Sequence, residues 1–328
     1  MAHSVHDALV KATFSQVEHA AGELRLALPA ALAARIDFTA LKLCPGSFID
    51  EALSARYTDL LFSAPLSGRP AYLYLLFEHK SGPEALTAFQ LLRYMVRIWE
   101  EHLKNKPKAQ RLPAIVPVVL HHGEGGWTVA RSFEELLDVD ADTLMDLGVH
   151  VPRFQFLLDD LDRETDEALH RRAMTALGRL TLWCLRHAWT PEQIVKGMGR
   201  WLDLVAEVRR GPKGVAALAT LWRYVLLVGH KFGPKDLSAR LVAAVGQEGK
   251  EEIVTAGEQL IEQGRLKGLL EGRREGQRTT LLKLLRARFG ELPATVLARV
   301  NAAELTELDL WTERILTAPT LSGVLGGI

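Results

Sequence analysis

The apolar positions of the chain change period near residue 164, and that change divides it. In the first part, β-prone runs alternate with helical stretches. Leu9, Val10, Phe14, Val17, Ala21, Leu24 and Leu28 recur near a 3.6-residue period across residues 4–34, which predicts helix, and Pro29 interrupts before a second short helix over 30–36. Pro45-Gly46 marks a turn, and residues 47–53 read as a short strand. Residues 57–62 and 71–77 are strongly β-prone and are joined through Ser67-Gly68, a pattern that predicts an antiparallel hairpin. Ser81-Gly82-Pro83 stops the second strand. A helix over residues 84–103 follows, with Phe89, Leu92, Val96, Trp99 and Leu103 as its apolar stripe, widened by Leu91, Met95 and Ile98. Residues 113–120 then read as a buried strand. A strand, helix and strand in that order form a crossover, so this strand should run parallel to residues 71–77. Residues 153–158 are a further strand candidate.

From about Thr165 the pattern is helical. Apolar runs at residues 177–185, 194–208 and 215–228 are separated by Trp-Thr-Pro, Arg-Gly-Pro and Phe-Gly-Pro breakers. Gly264, Gly268, Gly272 and Gly276 follow at four-residue spacing within a charged stretch. Either they line one face of a close helix–helix seam, or the stretch is a solvated, partly frayed helical connector, since each glycine costs about 1 kcal/mol against alanine. The expected fold is α/β, a mixed sheet flanked by helices, followed by an α-helical second half. The expected division is a sheet-containing domain at 1–164, a helical extension at 165–250, the connector at 251–278 and a small helical domain at 279–328.

Composition narrows the function classes. Across 328 residues, 48% are apolar and 24% charged, which is ordinary for a globular protein and excludes disorder. Forty basic and forty acidic residues cancel, so any phosphate-binding surface must be local. Cys44 and Cys184 lie far apart without metal-ligand spacing, which excludes a disulfide framework and a zinc site. With no leader pattern and no apolar run of spanning length, the sequence reads as cytoplasmic, without a membrane partner.

Candidate chemistry gathers at the hairpin's open end. Glu78 and Lys80 leave one face of an extended strand. Centring the turn between Gly68 and Arg69 sets Asp59 opposite Glu78, with Cβ atoms roughly 5 Å apart. Two carboxylates on central strands repel unless a cation lies between them. Oxygen ligation favours Mg2+, with Mn2+ as an alternative, and a neighbouring lysine suits orienting or deprotonating a water. His121 and His122 point to opposite faces of a strand end and fit hydrogen bonding near the site better than ligation. Trp99 fits the core, and the basic residues 104–111, with Arg93 and Arg97, fit a DNA-phosphate track or a solvated surface equally.

The pattern Asp59 … Glu78-His79-Lys80, on a hairpin followed by a helix and a parallel strand, resembles the PD-(D/E)xK nuclease core. Gln90-Leu-Leu-Arg-Tyr94 resembles the Q-x-x-x-Y element of its RecB-type members. More closely, His6-Asp-Ala-Leu-Val-Lys11, Pro45-Gly-Ser-Phe48, Thr58-Asp-Leu-Leu61, Leu75-Leu-Phe-Glu-His-Lys80, Leu91-Leu-Arg-Tyr-Met-Val-Arg-Ile-Trp99 and Val116-Pro-Val-Val-Leu-His-His-Gly123 resemble the Rpn family of recombination-promoting nucleases and transposase-like proteins. Residues 279–327 resemble a small helical domain often appended to that family. Thr58 stands where the superfamily's name has proline. The resemblance implies a restriction-endonuclease-like core and a Mg2+-dependent DNA endonuclease linked to recombination or mobile elements. It implies Asp59, Glu78 and the backbone carbonyl of His79 as metal ligands, Lys80 as the catalytic lysine, and Gln90 and Tyr94 facing the site. Tyr94 equally fits the core. A helix-borne acid is common in such nucleases, and Asp7 is preferred to Glu18. The alternative is a catalytically weak module that keeps the fold and binds DNA or protein. The helical second half is a candidate surface for homo-oligomer formation.

Overall fold

The computed structural model describes residues 5–44, 58–78, 84–229, 239–243 and 250–326. The turn at Pro45-Gly46 and the strand expected over residues 47–53 lie outside the described residues. Five strands form one mixed sheet in the order β1 (Lys42–Leu43), β2 (Thr58–Leu66), β3 (Arg69–Glu78), β4 (Ala114–His121) and β5 (Leu157–Asp160). β1, β2 and β3 pair antiparallel, whereas β3–β4 and β4–β5 are parallel, as the crossover requires.

The helices before and within the sheet are α1 (Val5–Phe14), α2 (Val17–Ala27), α3 (Ala30–Ala33), α4 (Thr87–Asn105) and α5 (Ala141–Leu147). The helical continuation comprises α6 (Asp166–His170), α7 (Ala176–Arg186), α8 (Pro191–Gly197), α9 (Leu202–Arg210), α10 (Gly214–Val228), α11 (Lys250–Phe289), α12 (Ala294–Ala302), α13 (Leu305–Arg314) and α14 (Leu321–Leu325). The α/β class with a helical second half is therefore present. No helix among the described residues is long and apolar enough to cross a membrane. By internal contacts the chain falls into two units, Met1–Gly257 and Glu258–Ile328.

The hairpin turn corrects one expected register. Leu66 pairs with Arg69, leaving Ser67 and Gly68 as a two-residue loop with φ of 49° and 76°. Positive φ at both positions is the turn form whose twist matches paired strands. Asp59 consequently lies opposite Leu76 rather than Glu78. The slip is two residues, so it moves the pairing without changing the face.

One face of the sheet carries Leu61, Tyr74 and Val119 against Ala88, Leu91, Tyr94 and Ile98 of α4, closed at its edge by Trp127 and Phe156. The buried stripe of α4 is thus Ala88, Leu91, Tyr94, Met95, Ile98 and His102. Leu91, Met95 and Ile98 are buried as expected, and the rest of the expected stripe is corrected. Phe89, Val96 and Leu103 are exposed at 44%, 42% and 39%. Tyr94 and His102 occupy core positions because each ring has an apolar body: Tyr94 lies 5.5 Å from the Tyr74 ring and His102 lies 6.3 Å from Tyr72. On the helical side of the same unit, α1 packs against β2, α7 and α10, and Trp183 of α7 stacks on Trp201 at 4.6 Å.

A buried ionic cluster ties α2 to β5. Arg172 reaches Asp159 through two hydrogen bonds of 2.5 and 2.7 Å, Glu23 at 3.4 Å and Glu164 at 3.5 Å. Glu23 is fully buried, and its Oε1 has no hydrogen-bond partner. Burial, reinforced by the charge of Asp159, pushes its carboxyl well above the usual range, with Arg172 opposing. A raised folded value means that Glu23 binds its proton more tightly when folded. Its stabilising share is full below the unfolded value of about 4.3 and is lost as pH rises through the folded one. Glu23→Gln should therefore unfold in urea with a flatter pH dependence than wild type above pH ~4.3. Parallel pH profiles for the two proteins would remove Glu23 from this account.

The second unit has its own core. Leu281 and Leu285 pack with Val296, Val300, Leu308, Trp311, Ile315, Val324 and Leu325. Gly290, at φ 78°, terminates α11 in the left-handed conformation that a side chain would strain. Glu304 and Glu307 form a reciprocal capping box at the start of α13.

Candidate active site

The sheet register aligns the candidate positions. Position 59 pairs with 76, and side-chain direction alternates along a strand, so positions 59 and 78 fall on one face as diagonal neighbours. Glu78 pairs with His121, and His121 pairs with Asp160. Asp59, Glu78, His121 and Asp160 therefore occupy one face at one end of four adjacent strands. That end is the start of β2 and the carboxyl end of β3, β4 and β5, where parallel strands deliver their connections and α/β proteins place their sites. His79 and Lys80 follow directly on Glu78 and lie outside the described residues.

The same topology brings in the first turns of α4. The crossover from β3 to β4 must carry α4 back across the sheet, so its amino end starts over the carboxyl end of β3. Gln90 lies in that first turn. Its amide donates to the Glu84 carboxylate, and its Oε1 is buried without a hydrogen-bond partner. Tyr94, one turn further on, is 3% exposed and packs on Tyr74 within the core cluster. Asp7 is 5% exposed within α1, which packs against β2. The ring of its neighbour His6 lies 4.9 Å from that of His122, so α1 begins at the same end of the sheet.

His121 and His122 do serve opposite faces. His122 stacks on Trp189 at 6.3 Å, whereas His121 meets Trp127 edge-on at 5.2 Å. His121 is wholly buried, and its Nδ1 lies 3.1 Å from Asp160 Oδ1. Asp160 Oδ2 accepts the backbone N–H of Trp127 at 2.8 Å and faces Arg163 Nε at 3.2 Å. Burial works against the charged form of Asp160. The hydrogen bonds from His121 and Trp127 outweigh it, with help from nearby positive charge, and hold the carboxyl below its usual range. The turn that brings Trp127 to Asp160 needs a glycine before it: Gly126 sits at φ 71°, and a Cβ there would meet Asp160 Oδ2 at 3.0 Å.

An ionised Asp160 fixes the ring tautomer. Its oxygen accepts a hydrogen bond from Nδ1–H, and in the neutral ring that tautomer leaves the lone pair on Nε2. That Nε2 is buried with no hydrogen-bond partner, a state that costs about 1–3 kcal/mol. Among the described residues, no three His, Cys, Asp or Glu side chains converge on a metal-sized site. The donors proper to a divalent cation are nevertheless those of this row: two carboxylate positions on one face, beside an imidazole whose second nitrogen lacks a partner. Asp160 was absent from the sequence reading, whose strand stopped two residues short of it.

A family model described as "Putative transposase, YhgA-like" matches residues 4–215. The recombination-promoting nuclease RpnA of Escherichia coli K12 is 29% identical over 260 residues, covering 79% of this chain and 84% of the relative. RpnC of the same strain is 36% identical over 119 residues, 36% of this chain and 39% of its own. The inactive recombination-promoting nuclease-like protein RpnE, also from that strain, is 28% identical over 310 residues, covering 94% of this chain and 96% of the relative. No solved structure matches. The family match spans the whole sheet and most of the helices that cover it, and so the chain belongs to the YhgA-like transposase family.

Proposed function

We propose that this protein is a metal-dependent DNA endonuclease that hydrolyses phosphodiester bonds during recombination or the movement of mobile elements. The observation that carries the reading is the register: positions 59 and 78 share a face and an end of adjacent central strands. The names of RpnA and RpnC, both recombination-promoting nucleases, support the reaction class.

In this reading Asp59, Glu78 and the carbonyl of His79 hold a divalent cation, Mg2+ or Mn2+, with Asp7 as a further acid from α1. The bound ion supplies Lewis acidity at the scissile phosphate. Lys80 orients the attacking water and receives or relays its proton. Gln90, at the start of α4, places an amide at the same end of the sheet and orients phosphate or water. Tyr94 supports that turn of helix from within the core. The basic residues 104–111, exposed for the most part, follow the far end of α4 beside Leu66 and Arg69 of the hairpin turn, so any phosphate they hold lies at the other end of the sheet from this site.

Supercoiled plasmid incubated with the full chain tests the reaction. Relaxed or linear product is expected with Mg2+ or Mn2+, none with EDTA, and none from Asp59→Ala. Cleavage by Asp59→Ala at the wild-type rate would remove the site assignment. A second reading, a catalytically weak module that keeps the fold and binds DNA or protein, draws support from RpnE, which is named inactive and aligns with 94% of this chain. It predicts a shift of labelled DNA in gels without nicking under any metal.

A further inference from the structure

His121 lies in the row of site positions but is not among the residues assigned to the reaction. Two observations set it apart from a histidine that merely fills the core. Its Nδ1 is committed to a carboxylate, Asp160, which a backbone N–H and Arg163 hold in place. Its Nε2 is fully buried and unpartnered, on the strand that pairs with Glu78 in direct register. A histidine that binds a metal through one nitrogen nearly always gives the other to a carboxylate or carbonyl, which sets its tautomer and its orientation. The two ring nitrogens face diverging directions. With Nδ1 turned to β5, Nε2 is turned away from that strand.

We propose that His121, oriented by Asp160, gives Nε2 to the divalent cation held by Asp59 and Glu78, and that this imidazole biases the site towards Mn2+ over Mg2+. The proposal rests on the metal-dependent reading above. Imidazole suits transition metals, whereas Mg2+ favours oxygen donors and retains its waters. Asp160 is a positioning residue in this scheme and does not touch the ion.

The test uses the full chain with Mn2+ alone, without DNA. Electron spin-echo spectroscopy of bound Mn2+ should show coupling to a directly coordinated nitrogen in the wild type and none in His121→Gln. Mn2+ affinity, measured from the free-ion resonance signal, should fall about 10–100-fold in His121→Gln, with a smaller change for Mg2+. Should His121→Gln fail to fold, Asp160→Asn keeps the imidazole and loses only its anionic partner. It should retain nitrogen coupling with Mn2+ bound about tenfold more weakly. Bound Mn2+ without nitrogen coupling, in a protein whose Asp59→Ala variant loses the ion, overturns the role of His121 and leaves the nuclease reading intact. Mn2+ binding that is absent, or indifferent to Asp59→Ala, overturns both.

Discussion

Lys80→Ala should cut plasmid cleavage by about a thousandfold while leaving DNA binding within a few-fold of wild type. The size follows from what a positioned charge contributes where negative charge develops in the transition state: loss of one such donor costs about 10²–10³ in rate, and loss of proton transfer a comparable factor. The sparing of binding follows from where the lysine acts. It follows Glu78 by two positions at the end of a central strand, and a single phosphate contact is a small share of an affinity built from many. Lys80→Arg should rescue little, because the planar guanidinium is neither a compact point charge nor a proton shuttle. Single-turnover cleavage beside filter binding on the same DNA separates the two effects. Equal losses in rate and affinity would make Lys80 a DNA-binding residue, and an unchanged rate would remove it from the reaction.

The hairpin and the crossover were legible because period and breakers state them directly: β-prone runs around Ser67-Gly68, then a helix, then a second apolar strand. The register was not. A two-residue loop needs positive φ at both positions, and Gly68 can be joined in it by Ser67 or by Arg69, neither of which favours that region; the fold takes Ser67, at 49°. The face survived the error because the slip was even. The buried face of α4 was misread for another reason. Tyr94 and His102 lie inside, while Phe89 and Val96 are exposed, and apolarity alone cannot rank an amphipathic ring with a partner against an apolar residue without one. Asp160 was missed because β5 is short and ends in two acids, Asp159 and Asp160, which read as the start of a loop. In the fold those acids serve opposite faces, one at His121 and the other at Arg172.

That division makes Arg172 a residue whose loss should destabilise the first unit strongly. Arg172→Ala leaves Glu23 and Asp159 without their cation. Glu23 is wholly buried and Asp159 nearly so, with a side chain 10% exposed. Breaking a buried ion pair from one side costs about 3–5 kcal/mol, because the remaining charge has lost its compensation. For a unit of this size that corresponds to a fall in Tm of roughly 6–20 °C. Glu23 can take up a proton to relieve part of the cost, since burial already favours its neutral form. The double variant Arg172→Ala/Glu23→Gln should therefore recover some of the loss, and the recovery should grow with pH. The damage should also travel along β5. Asp160 follows Asp159 directly, so a loosened strand slackens the hold on the His121 ring before the unit melts. Calorimetry of the single and double variants checks the stability. An Arg172→Ala protein that melts with wild type would show that the cluster contributes little. One that melts early but keeps wild-type Mn2+ affinity below its transition would show that β5 holds Asp160 without help from Arg172.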